Sequence, residues 1–410
     1  NITLGNPDNA LAAVRLGLLA ALQTVMRAHR RCRDTQIMAC RAICCVCAEL
    51  PQGVVEAGQL GLLADVQTAM RSHLAFRDLQ EIGCMFISSM TEKNPTNQAE
   101  AGRLRVLAEV AAAMRTHRGS ISLQRMACGA MSSITFDSLI DVEEATRLGL
   151  LAEVQAAMRT KTESLELQYP ACCAIRGLIT SDVASGPEAG RLGMLADVQA
   201  AMRAHTSSAD LQEMACTVIT CITINNAVNI AEAGRLGLLA EVQSAMRAHP
   251  HCTDLHEAAC EAICSMTHKN DSNKVAAMRM GLLADLKAAV RPAARVTGRE
   301  GKHGKVLGAV DGVFGNAVVV DLREALNPSH SASLQRTACK AILSVTADIS
   351  NNKVEAERLG ILADLQALMR AYPTSPDIQE SACMAVRNIT CGIPENQAAA
   401  MELGVVADVQ

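Results

Sequence analysis

The stretch NIAEAGRLGLLAEVQSAMRAHPHCTDLHEAACEAICSMT, residues 229–267, reads as three helices in succession. Asn229 accepts a helix-starting role, and Gly234 supplies a left-handed close to a short first helix. A second helix after Gly237 places Leu239, Val242 and Met246 on one face. A third opens at Asp254, with Glu257 three residues on as a capping box. In the unit before it, Leu211, Met214, Ala215, Val218, Ile219 and Ile222 draw the third helix as one apolar stripe.

The same text recurs along the chain every 44 residues. The dipeptide Met-Arg returns at Met26, Met70, Met114, Met158, Met202 and Met246; Val290 keeps the phase, and Met369 resumes it after 35 extra residues. Cys40, Cys84, Cys128, Cys172, Cys216 and Cys260 keep the same period, as do Cys339 and Cys383 once that excess is allowed for. Units this short cannot bury a hydrophobic face alone, so the period predicts a solenoid in which neighbours share a core. Helix starts are expected at Asn9, Gly53, Asn97, Asp141, Ser185, Asn273, Asn352 and Asn396. Glycine corners are expected at Gly58, Gly102, Gly190 and Gly234, with different corners where Thr146, Met278, Glu357 and Met401 stand instead. Capping boxes are expected at Asp78/Glu81, Asp210/Glu213 and Asp377/Glu380 as well.

Composition narrows the function. Half the residues are hydrophobic, yet there are four Phe, two Tyr and no Trp, so Leu, Ala, Val, Ile, Met and Cys must fill the core. A formal charge of −4, without a basic block or aromatics to stack on bases, argues against nucleic acid. No apolar run is long enough for a spanning helix, so membrane insertion is not expected. Seventeen cysteines set within apolar helical patterns suit a reducing, intracellular compartment such as the cytoplasm.

A short helix, a glycine corner, a Leu-Leu helix, and a helix opening on "LQE" and ending on "SIT" or "NIT" together resemble the armadillo repeat. The resemblance implies an all-α, right-handed α-α superhelix of about nine 44-residue three-helix repeats, the first and last incomplete. It also implies that extended partners lie in a groove lined by the third helices. Repeats are expected over 1–291 and 329–410, with a Gly-rich loop inserted at 292–328. Asn1-Ile2-Thr3 aligns with Asn388-Ile389-Thr390 and the chain stops inside a second helix, so further repeats or a partner are expected at both ends.

Nuclear-import adaptors of this family grip peptides with a Trp and an Asn four residues apart on each third helix. Here the Trp-equivalent positions hold Arg41, Met85, Gly129, Cys173, Thr217, Glu261, Lys340 and Met384, and Asn survives only at the two end units. That ladder is therefore not expected, nor is the long basic groove of β-catenin-like arrays. The candidate partner-binding residues are Arg41, Glu81, Met85, Arg125, Tyr169, Glu213, Thr217, Glu257, Glu261, Arg336, Lys340, Glu380, Met384 and Asn388, because their types vary between units while the core does not.

Other patterns read as structural. Cys40 and Cys44 share a helix face, but structural zinc draws on two separated ligand pairs, so no metal is expected. His29, His73, His117, His205 and His249 fall at second-helix ends, and Lys161 and Tyr372 interrupt them. Recurrent acids near the starts of second helices and Arg near their ends suit the helix dipole or inter-repeat ion pairs. Gly304-Lys305 lacks the glycine and the Ser or Thr of a phosphate loop, and the insertion reads as a surface loop with a short strand at 318–320. No catalytic set or cofactor motif recurs. The chain is expected to be a non-catalytic scaffold for other proteins; the alternative is a subunit built permanently into a large axonemal or membrane-associated assembly.

Overall fold

The computed structural model describes residues 6–135, 144–180, 185–290 and 328–405, and every regular element among them is helical. The chain is an all-α solenoid whose backbone divides into two compact units, Asn1–Glu241 and Val242–Gln410. The insertion expected at 292–328 lies outside the described residues, except that Pro328 opens the helix Pro328–Thr346. Asp141, the first three residues and residues 408–410 also lie outside them.

In the first unit, the second repeat is typical: first helix Pro51–Gln59, second helix Leu62–Ser72, third helix Arg77–Thr91. Successive third helices pack side by side, from Arg33–Glu49 through Ile121–Thr135 and Leu165–Thr180 to Ala209–Thr223. In the second unit Thr253–Thr267, Pro328–Thr346 and Pro376–Thr390 do the same. The stripe from Leu211 to Ile222 is buried as its spacing predicts, as are Leu239, Val242 and Met246. Cys40, Cys84, Cys128, Cys172, Cys216, Cys260 and Cys339 are buried beside it as free thiols, and Cys383 is half-buried.

Burial pushes the Cys40, Cys84 and Cys216 thiols up to about 12. Exposed Cys32 is shifted down instead, because the Thr35 hydroxyl donates to its sulfur at 3.1 Å and the Thr35 backbone N–H adds to it. Alkylation of the native chain at pH 8 is expected to label Cys32 at least ~1000-fold faster than Cys216, since only the thiolate reacts. Peptide mapping after a timed iodoacetamide pulse checks the ratio.

Three local readings are corrected. The left-handed corners lie three residues beyond those expected, at Gly61, Gly149, Gly193, Gly237, Gly281, Gly360 and Gly404, all at φ between 68° and 76°. The corners after Thr146, Met278, Glu357 and Met401 therefore match the rest, and only Arg105 takes the position without glycine, at φ 55°. Gly58 and Gly190 are instead helical, and a Cβ on either would run into the side-chain amide of Asn97 or Asn229 in the next repeat.

Apart from Ser185–Leu192, which begins among the described residues at the expected Ser185, the caps of the first helices lie three residues earlier than expected. Asn6, Asn94, Asn226 and Asn270 are the caps, each accepting from the backbone N–H three residues on at 2.9–3.1 Å. Asn97, Asn229, Asn273, Asn352 and Asn396 are buried inside these helices, where a side-chain amide has other work. Asn229 Nδ2 donates to Ile222 O at 2.8 Å, ending the preceding third helix, and to Gly186 O at 3.0 Å in the preceding repeat. Asn352 and Asn396 repeat both bonds in the second unit.

The capping boxes are not formed. Third helices begin before the aspartates: Ser208 caps Ala209–Thr223, accepting from Leu211 N at 3.3 Å, and Asp210 sits in the first turn. Asp78, Asp254 and Asp377 occupy the same first-turn position, where they still favour the positive end of the helix dipole.

Candidate protein-binding surface

Two polar ladders build the frame that carries the third helices, and both escaped the sequence reading. Gln36, Gln80, Gln124, Gln168 and Gln212 are buried, and each donates Nε2 to the carbonyls ten and seven residues earlier. Those carbonyls end the second helix and have no partner within it. Gln379 does the same, and His256 substitutes with Nε2 at 3.1 Å from both Met246 O and His249 O.

The second ladder joins repeats. Gln23, Gln67, Gln155, Gln199 and Gln243 donate to the carbonyl 37 residues ahead and to a carboxylate 42 ahead. Lys287, in the glutamine position, also reaches the carbonyl, that of Leu359, and lies 3.4 Å from Asp364. Where Ala111 stands in this position, Arg115 Nη2 takes the carbonyl of Leu148 at 2.5 Å. The recurrent Arg and acids pair across repeats, as in Arg27–Asp65, Arg71–Glu109, Arg159–Asp197 and Arg247–Asp285. Both ladders were visible as Gln at the 44-residue period, but their carbonyl partners were not.

On this frame the varied residues form two rows per unit, four residues apart on each third helix. Within the first unit Glu81, Arg125, Tyr169 and Glu213 occupy one row, and Arg41, Met85 and Thr217 the next. Arg41 and Tyr169 are exposed, and the others are half-buried. Ser120 Oγ donates to Glu81 Oε1 at 2.9 Å, and Arg77 lies 3.5 Å from the same carboxylate. Burial, then the neighbouring Cys173, Asp210 and Glu213, raise the Tyr169 phenol, which stays protonated.

Within the second unit Glu257, Arg336 and Glu380 form one row, and Glu261, Lys340 and Met384 the other. Glu257 accepts from Ser333 Oγ, and Arg336 lies 3.7 Å from Asp377. Glu261 is raised from the ordinary glutamate value by desolvation and then by Glu257, against the opposing pull of Arg336 and Lys340. Its charge therefore disfavours folding above the raised value, and the penalty fades once pH falls below the unfolded value. Glu261→Gln is expected to raise the melting temperature at pH 8 and to leave it unchanged at pH 3.5, as thermal scans at the two values would record.

Asn388 stands apart from both rows: its Nδ2 donates to Thr346 Oγ1 at 2.6 Å and contacts Leu343 O at 3.4 Å, in the seam with the preceding repeat. The equivalent Ser133 and Ser344 likewise bond into their seams, at 3.0 Å to Ser88 Oγ and 2.8 Å to Thr267 Oγ1.

A cavity of about 230 Å³ lies among Met114, Gln124, Glu153 and Thr160. Its carboxylate, Glu153, is already paired with Arg115 at 2.9 Å and Arg118 at 3.2 Å. Among the described residues no three His, Cys, Asp or Glu side chains gather as metal ligands, and no single helix is long and apolar enough to cross a membrane.

No family model matches this sequence, and no curated protein matches it either. Solved structures do. An engineered protein is similar at 14% identity and TM-score 0.61, over 94% of this chain and 93% of its own. A chain from a structure of the phosphorylation-switched interaction between cadherin and beta-catenin is similar at 15% identity and TM-score 0.70. That match covers 95% of this chain and 71% of the other. At such identities the likeness is one of fold.

Proposed function

We propose that this chain is an armadillo-type scaffold, non-catalytic and intracellular, that holds segments of other proteins along its third helices. The observation that carries the reading is a contrast: residues that build the repeats recur as a fixed polar and apolar frame, whereas Arg41, Glu81, Met85, Arg125, Tyr169 and Glu213 change type from repeat to repeat on an accessible face. A regular frame that presents irregular side chains suits recognition of one particular partner segment. Free thiols throughout the core suit a reducing compartment. The similarity to a cadherin–beta-catenin structure adds the precedent of protein partners on this fold.

A permanently assembled structural subunit is the second reading. Leu16 at 85%, Val228 at 78% and Met401 at 67% exposure, on or beside first helices, favour it. Crosslinking and mass spectrometry on the native protein separate the two. Scaffolding predicts crosslinks from Lys340 to one extended segment, which an Arg336→Glu, Met384→Ala variant that keeps the Lys340 amine loses. Crosslinks spread over first helices and several proteins would replace that reading with the structural one.

A further inference from the structure

In the first unit the loops between second and third helices line one edge, and histidines tie three of the four neighbouring pairs, Lys161 standing where the histidine of the fourth loop would be. His73 Nε2 donates to Arg30 O at 2.9 Å, His117 Nε2 to Leu74 O at 2.8 Å, and His205 Nε2 to Thr162 O at 2.8 Å. Charge changes sign along this edge. The loop and first turn of the first repeat carry Arg30, Arg31 and Arg33 against Asp34. The next two add Arg77 and Arg118 against Asp78. The fourth and fifth carry Glu163, Glu166 and Asp210 against Lys161. All of these side chains are exposed. Arg30, Arg31, Glu163 and Glu166 form no ion pair among the described residues.

Two large apolar side chains sit on the edge, one in each half. Phe76 is 41% exposed, with the Arg33 guanidinium 4.9 Å from its ring centre, and Leu165 is 40% exposed. They belong to the second and fourth repeats, equally far from the third. A uniform polyanion would meet Asp34 and Asp78 in one half and the acidic loops in the other. A second copy of the chain, laid antiparallel, brings the opposite sign to each half.

We propose that this edge is a self-association surface, on which two copies pair about a two-fold axis at the third repeat. The first and second repeats of one copy then lie on the fifth and fourth of the other. Arg30 and Arg31 face Asp210, Arg77 faces Glu163 and Glu166, Phe76 comes opposite Leu165, and the minority charges Asp78 and Lys161 also come together. Such an interface is isologous and closes as a dimer. Exposed charge pairs supply orientation and encounter rate more than affinity, so association is salt-sensitive.

The test is sedimentation equilibrium of the full chain with a charge exchange. A dimer is expected at ~50 mM salt, with Kd rising at least about tenfold at ~500 mM. R77E and E163R/E166R, which face each other in this pairing, should each be monomeric, and mixing them should restore a heterodimer that native mass spectrometry identifies by mass. If E163R/E166R fails to fold by circular dichroism, E163R mixed with R77E carries the same exchange. A wild-type monomer at low salt, a dimer unaffected by the single reversals, or variants that do not pair on mixing would each overturn the proposal.

Discussion

Gly190→Ala is expected to destabilise the solenoid by about 3 kcal/mol, an unusually large effect for one added methyl. Gly190 lies in the helix Ser185–Leu192, and a Cβ there would enter the space of the Asn229 amide. The methyl would drive that amide off Ile222 O and Gly186 O, leaving buried polar groups in the seam between repeats. Because both residues serve one contact, Gly190→Ala/Asn229→Ala should cost at least about 1 kcal/mol less than the sum of the single variants. Gly237→Ala is the contrast: φ is 75° but a Cβ there meets nothing within 4 Å, so only the left-handed backbone is penalised, by about 1 kcal/mol. Stacked repeats open in parts, so hydrogen exchange of amides 222–230 is a sounder measure than one global transition. Additive costs would show that Gly190 and Asn229 act separately.

Gln212→Leu is expected to destabilise by a similar ~3 kcal/mol, although leucine matches the volume and suits a buried helix. Gln212 Nε2 serves Met202 O at 2.8 Å and His205 O at 3.0 Å, the carbonyls that end the helix Met194–Ala204. Leucine removes the Gln212 donor from Met202 O and leaves His205 O with the Ser208 N–H at 3.1 Å as its remaining partner. Gln212→His should cost within about 1 kcal/mol, because His256 makes the same two bonds in the next repeat. Urea unfolding with exchange at 202–212 compares the two variants. Equal costs would mean that side-chain shape, and not the donated hydrogen bonds, sets the stability of this joint.

The period, the three helices per unit, the buried thiols and the apolar faces of Leu239, Val242 and Met246 followed from sequence alone. Each depends on spacing within one helix or on repetition at 44 residues, and both are one-dimensional properties. Tertiary structure decided which of several chemically equivalent residues does what. Asn226 and Asn229 are both able to cap; the backbone makes Asn226 the cap because Asn229 faces carbonyls in the preceding third helix and the preceding repeat. Gly234 and Gly237 are both able to turn the chain left-handed, yet only Gly237 does so. The row positions on the third helices were legible from their varied types, whereas the turning of Asn388 into the seam depends on Thr346 and Leu343 in the preceding repeat. Sequence fixes what a side chain is able to bond; a carbonyl 37 or 43 residues away becomes a neighbour only once the repeats have stacked.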